Sequence, residues 1–423
     1  MIKLINTKNI KLTSTIKSAI LNPMKYNNGL WAFNKIPKVS NDFLKKLPNY
    51  SFNEIAYEVS KYYNLDNELG DKKLKNIIEK SFDFPIKNTE LDRNLSMCEL
   101  YHGKSLSFKD IGTSFTSNII DEINNDELKI ITATTGDTGA AVVAAFHNKE
   151  NIQVHILYPK DKVSLIQRKQ MTTFGDNIKC YEVDGNFDEC QALVKKALND
   201  KDINNLTTSN SINIGRIIGQ LFYYFYTCQK HLDKKNNIVI PSGNLGNGLS
   251  CYLAKQMGLP INNIIYACNE NSNLNNLLNN KNINKNKKSI KTLSNAIDII
   301  NPSNFERLHF YTNNNFKFKP DYIKTTISSD EDVLNMIKYV FNNYNKIIDP
   351  HTAIAFDGLL NKLKYDKYFN NIVISTADPI KFYNEIDYKN KLQLTDNIKN
   401  LLKKKEYITT INNDYNEIKM KLL

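Results

Sequence analysis

The sequence predicts an α/β protein built on open, mostly parallel sheets with helices on both faces, preceded by a mostly helical N-terminal part. Three observations carry this expectation. Short apolar runs, 129-KIITAT-134, 153-QVHILYP-159 and 179-KCYEVD-184, recur about every 25 residues. Each is followed by a stretch with helical periodicity. A second series of the same kind begins at 237-NIVIP-241. Strand–helix–strand alternation at this spacing is the pattern of parallel βαβ units.

In chain order, residues 1–95 are polar and helix-like, as in 51-SFNEIAYEVSKYY-63 and 73-KLKNIIEKSF-82. The first strand series alternates with helical stretches at 139–148, 164–173 and 188–200. Residues 212–232 read as one long helix with a broad aromatic face. After the strand at 237–241 come a Gly-rich turn and a helix from Leu249 to Met257. Strands at 263–268 and 322–328, helices at 330–344 and 353–364, and a strand at 371–377 continue the pattern. The tail from Ile380 reads as helical and charged. Residues 271–291, rich in Asn and Lys, offer no face to bury and read as a mobile surface loop without chemistry.

Composition narrows the function. The chain has 423 residues, 41% hydrophobic and 24% charged, which excludes a wholly disordered protein. The net charge of +12 comes from 56 Lys and Arg against 44 acids, yet the only arginines are Arg93, Arg168, Arg216 and Arg307. That is a Lys-rich solvated surface and argues against a nucleic-acid partner. Six scattered cysteines without a C-x-x-C pair point to reduced thiols in a cytoplasmic protein, not a disulfide framework or a metal site. No apolar run approaches the ~20 residues needed to span a bilayer, and no signal-peptide core is present, so no membrane role is expected.

Three segments carry chemistry. In 240-IPSGNLGNGLS-250 a strand enters a Gly-rich turn that opens a helix, a ready anion site. It is neither G-x-G-x-x-G nor a P-loop, which suits the phosphate of a compact cofactor; taken alone, an ordinary βα loop explains it equally well. In 102-HGKSLSFKDIGTSF-115, Lys109 follows Phe108 at a helix start. An apolar setting there depresses a lysine pKa and favours Schiff-base chemistry; a plain first-turn surface lysine is the simpler account. In 131-ITATTGDTGAAVVAAF-146, three hydroxyls and several N–H groups meet at one helix N-terminus, which suits a carboxylate. Capping by Asp137 or Thr138 explains one of these residues but not the cluster.

Taken together and in this order, the motifs resemble pyridoxal-phosphate enzymes of fold type II, and more narrowly the threonine synthase family. Collinear segments extend the resemblance over nearly the whole chain: 27-NNGLWAF-33, 98-CELYHGKSLSFKD-110, 154-VHILYPKDKVS-164, 183-VDGNFDECQALVKKA-197, 209-SNSINIGRIIGQ-220, 293-LSNAIDIINPSNFER-307, 349-DPHTAIA-355 and 375-STADPIKF-382. The resemblance implies two open sheets with the site between them. It divides the chain into an N-terminal domain at 1–95, a catalytic core at 96–384 and a helical tail at 385–423.

The implied activity converts O-phospho-L-homoserine and water to L-threonine and phosphate through a Schiff base of pyridoxal 5'-phosphate. Lys109 would carry the cofactor. Ser242, Gly243, Asn244, Leu245 and Asn247 would wrap its phosphate, Thr376 would meet the pyridine nitrogen, and Asp137 would face the 3′-oxygen. Thr134 and Thr138 would face the substrate carboxylate, and Lys162, Ser164, Asn213 and Arg216 its phosphate. For Arg216 there is separate support: arginine is rare here, and a guanidinium offers bidentate phosphate geometry. A monomer or homodimer is expected. The family pattern is broken at Lys104, Ser114, Leu245, Asn247 and Asp378, so the alternatives are another fold type II lyase, such as a threonine or serine dehydratase, or a catalytically weakened relative.

Overall fold

The computed structural model describes residues 2–24, 29–279, 281–283, 287–313, 320–363, 368–386 and 392–423. Asn27 and Asn28 of the segment 27-NNGLWAF-33 lie outside these residues. In chain order the strands are β1 (Leu4–Asn6), β2 (Asn9–Ser14), β3 (Trp31–Phe33), β4 (Lys87–Asp92), β5 (Leu95–Glu99), β6 (Leu128–Ala133) and β7 (Ile152–Pro159). They continue as β8 (Ile178–Asp184), β9 (Leu206–Thr207), β10 (Asn236–Pro241), β11 (Ile261–Asn269), β12 (Ile323–Ser328), β13 (Asn370–Ser375) and β14 (Thr409–Asn412).

Two sheets dominate, as the alternation predicts. The larger runs β12-β11-β10-β13-β5-β4, parallel except for β4, which pairs antiparallel with β5. The second runs β14-β8-β7-β6-β9 and is parallel throughout. Every residue of β10 and β13 is buried, which accounts for their unbroken apolar character in sequence. Helices Lys109–Ile123 and Ile214–Cys228 pack on each other, and one continuous apolar core joins them to helices of the N-terminal part.

The N-terminal part is mostly helical, as expected, and also carries a small antiparallel sheet of β1–β3, order β2-β1-β3, while β4 extends the larger sheet. Two other expectations are corrected. The tail holds helices Asp396–Lys403 and Tyr415–Leu422, but also β14, the edge strand that pairs with β8. Its sequence, TTIN, is mostly exposed and too short to show alternation. The Asn-rich segment is anchored: Leu274–Leu278 is helical with both end leucines buried, and the fully buried Asn271 bonds Ile290 O and Asp298 Oδ1, each at 2.8 or 2.9 Å. Asn280 and residues 284–286 lie outside the described residues.

Candidate active site

Open α/β sheets place ligands beyond the carboxyl ends of their parallel strands. Here the ends of β10, β13 and β6 face one cavity. Lys109 reaches it because the segment before its helix is stitched to the end of β13. Phe108 N–H donates to Thr376 O at 2.8 Å, Asp378 N–H donates to Leu106 O at 3.0 Å, and Ser107 bridges Ala377. Lys109 and Thr376 therefore line the same wall. Gly112, one turn further on, lets the helix Ile214–Cys228 approach closely: a Cβ there would lie 2.9 Å from Arg216 O. That contact brings Arg216 to the cavity.

β10 leads into Ser242–Leu245 and the helix Gly246–Met257. Leu245 takes a left-handed conformation (φ 61°), and no side chain caps the helix, so its first-turn N–H groups are left for another acceptor. Gly243 is required by contact: an added Cβ would sit 2.8 Å from Ile297 Cα. Asn244 holds the turn in place, its Oδ1 accepting Ser303 N–H at 2.6 Å and its Nδ2 donating to Ser211 Oγ at 3.2 Å. Asn247 Oδ1 accepts the hydroxyls of Tyr223 and Tyr224.

After β6 the turn passes through Gly136 (φ 130°), which offers no capping side chain of its own, into the helix Asp137–Phe146. Thr134 Oγ1 accepts the N–H groups of Gly136 (2.9 Å) and Gly139 (2.8 Å), which leaves its own proton for another partner. Thr138 lines the cavity, half-buried. Asp137 is buried, with Oδ1 2.7 Å from Lys381 Nζ and 2.9 Å from Gln167 Nε2.

The electrostatics suit a reactive amine. Burial pushes the Lys109 ammonium down to about 8, with Arg216 and Lys381 pressing the same way and Asp137 opposing. Burial also lowers Arg216, to about 10. Burial would raise the Asp137 carboxyl, but Lys381, His351 and Lys109 hold it below the ordinary carboxylate range. Three cavity side chains carry a buried polar atom without a partner: Arg216 Nε, Gln220 Oε1 and Asn247 Nδ2.

The structure brings Lys109, Thr134, Asp137, Thr138, Arg216, Ser242, Gly243, Asn244, Leu245, Asn247 and Thr376 to this one cavity. It does not bring Lys162, Ser164 or Asn213 to its wall. Lys162 is exposed. Ser164 caps the helix Leu165–Thr172 and donates to Lys381 O at 2.9 Å. Asn213 caps the Arg216 helix, and its Nδ2 donates to Ile20 O (2.8 Å) and Thr208 O (2.9 Å). Ser and Asn are cap formers as readily as anion ligands, so sequence alone does not separate the two uses.

Sequence reasoning missed His351 and Ile297, which also line the cavity. His351 Nε2 accepts Ala296 N–H at 3.1 Å while Nδ1 faces Asp349 Oδ1 at 2.8 Å, which places the ring proton on Nδ1. This bond pins the turn Asn295–Ile297 over the Gly-rich loop. Lys104 and Ser114 share a different cavity, lined also by Asp110 and Lys149.

The family described as "Pyridoxal-phosphate dependent enzyme" matches residues 87–375, and "Threonine synthase N terminus" matches residues 3–82. A threonine synthase from Buchnera aphidicola (subsp. Acyrthosiphon pisum) is 34% identical, covering 100% of this chain and 99% of that one. The chain belongs to the threonine synthase family. The threonine synthase of Saccharomyces cerevisiae is 32% identical over 89% of this chain and 86% of its own. Among solved structures, threonine synthase from Escherichia coli superposes with a TM-score of 0.93 at 28% identity, covering 100% of both chains. Pyridoxal-phosphate-bound threonine synthase from Brucella melitensis gives 0.88 at 26%, covering 100% of this chain and 99% of that one.

Membership makes this chain a pyridoxal-phosphate-dependent lyase of fold type II that acts on a small molecule. Its cavity fits the cofactor on its own evidence: an amine with a depressed pKa and an uncapped helix N-terminus behind a turn that only glycine fits at 243. Among the described residues no helix is long and apolar enough to cross a membrane.

Proposed function

We propose that this chain converts O-phospho-L-homoserine and water to L-threonine and phosphate. The supporting observation is the convergence, in one cavity, of Lys109, the Ser242–Asn247 loop, Thr376, the Thr134–Thr138 turn and Arg216. Bound pyridoxal phosphate supplies an electron sink for charge developing at the substrate Cα.

The chain's residues do the rest. Lys109 holds the cofactor through its side-chain nitrogen, and its released amine, in a buried setting that disfavours the ammonium, can take and return protons at Cα and Cβ. N–H groups of the Ser242–Asn247 loop hold the cofactor phosphate. Asp137 would face the cofactor's 3′-oxygen. Thr376 would meet the ring nitrogen with a hydroxyl, which would temper the sink because it cannot donate a full proton. Thr134 and Thr138, with the first-turn N–H groups behind them, orient the substrate carboxylate. Arg216 takes the substrate phosphate, its unpartnered Nε providing one arm of a bidentate contact. Ser164 and Asn213 act from outside the cavity, as caps that fix Lys381 and the Arg216 helix.

The same reading makes residues 1–95 an N-terminal domain, 96–384 the catalytic core and 385–423 a tail, in a monomeric or homodimeric cytoplasmic enzyme. Its six cysteines, all free and buried, are in keeping with a reducing compartment.

The test is turnover of O-phospho-L-homoserine by the protein loaded with pyridoxal phosphate, following phosphate and threonine. Borohydride reduction should fix the cofactor on Lys109, and Lys109→Ala should be colourless beside a yellow parent. Equal colour in both, or 2-oxoacid formation from threonine without phosphate release from phosphohomoserine, would overturn the reading.

A further inference from the structure

Lys381 has no part in the reaction as proposed, yet its side chain is fully buried, a costly place for an ammonium. It is held rigidly. Its N–H donates to Asp378 O at 3.1 Å, and its carbonyl accepts Ser164 Oγ at 2.9 Å. Its ammonium donates to Ser105 O at 2.6 Å and meets Asp137 Oδ1 at 2.7 Å.

Asp137 lines the cavity with Lys109. Charges reach Lys109 from three surrounding elements: Asp137 favours its protonated form, while Arg216 and Lys381 oppose it. Asp110, on the Lys109 helix, acts on Arg216, and His351 acts on Asp137. With Lys381 removed, the ammonium left acting on Asp137 is Lys109 itself.

We propose that Lys381 is a positioning residue: by engaging Asp137 it withholds that carboxylate from Lys109, leaving the Lys109 amine free to give up its proton. The catalytic meaning of this rests on Lys109 being the cofactor lysine. The electrostatic claim does not.

The two claims are tested separately. In the cofactor-free full-length chain, acetic anhydride labels Lys109 only when the amine is neutral. Mass spectrometry of its peptide across a pH series therefore gives a midpoint. The parent should titrate near 8. Lys381→Met should move the midpoint up by about one unit, a roughly tenfold loss of neutral amine below it. Lys381→Gln keeps a donor for Asp137, so it guards against a folding failure, and it should move the midpoint the same way. Lys381→Arg should leave it in place. In the double variant Asp137→Asn/Lys381→Met, with no carboxylate left to pair, it should return to within roughly half a unit of the parent.

An unmoved midpoint in both neutral variants, or an equal shift when Lys381→Met is combined with Asp137→Asn, would overturn the proposal. If borohydride instead fixes the cofactor on another residue, the reading of Lys109 fails, whatever the midpoints show.

Discussion

Gly243→Ala tests whether the turn over the cavity is fixed or yielding. The new methyl group would lie 2.8 Å from Ile297 Cα and 3.0 Å from its Cβ. The obstacle is backbone, so no side-chain rotation relieves it. Ile297 cannot retreat freely either: its N–H donates to Ser294 O at 3.0 Å, and its neighbour Ala296 donates to His351 at 3.1 Å. Overpacking of this kind costs about 1–3 kcal/mol. If the strain falls on the loop that holds the cofactor phosphate, pyridoxal phosphate should bind roughly five- to a hundredfold more weakly. The assay is cofactor titration by absorbance, with thermal melting of the cofactor-free chain beside it. Affinity within twofold of the parent would refute the argument, because it would show that the turn yields at no cost to the cradle.

Other substitutions should separate substrate recognition from stability. Arg216→Met should raise KM for phosphohomoserine about 10- to 100-fold while leaving cofactor absorbance intact, since a hydrogen-bonded charge is worth about 1.5–3 kcal/mol. Gly248→Ala drives a methyl group to 2.5 Å from the ring of Tyr266, a fully buried core residue; it should lower the melting temperature of the cofactor-free chain more than Gly243→Ala does. Asp110 is raised by burial from 3.8 to about 6, against the opposing Ser105 hydrogen bonds. Its contribution to stability is therefore complete below 3.8 and lost as pH rises towards 6. Asp110→Asn should melt higher than the parent at neutral pH, by up to about 3 kcal/mol, and show a flatter profile across that window.

The strands and helices of the core were legible because their signals are local. β6, β7 and β8 are apolar runs bounded by turn residues, and the Gly243–Gly248 loop announces itself by glycine alone. What escaped depends on partners distant in sequence. TTIN becomes β14 only because β8 offers an edge, and WAF becomes β3 only against β1. Asn271 reads as solvent-loving until Asp298 is seen to accept from it. Lys381 is one of 52 lysines, and nothing nearby in sequence says that Asp137 lies beside it. Ser164 and Asn213 were legible as polar residues at helix starts, but whether such a residue faces a ligand or its own backbone is decided by tertiary placement.

The pairing of β14 with β8 has a consequence for how the chain reaches its native state. β8 ends at Asp184, whereas its outer neighbour begins at Thr409. During synthesis on the ribosome, β8 emerges long before anything exists to cover that side. Ile411, Ile418 and Leu422 complete the apolar cluster built on Tyr181 and Val183. Until they arrive, the nascent polypeptide carries an open template for wrong partners. Chaperone demand should therefore fall sharply once residue 422 clears the exit tunnel.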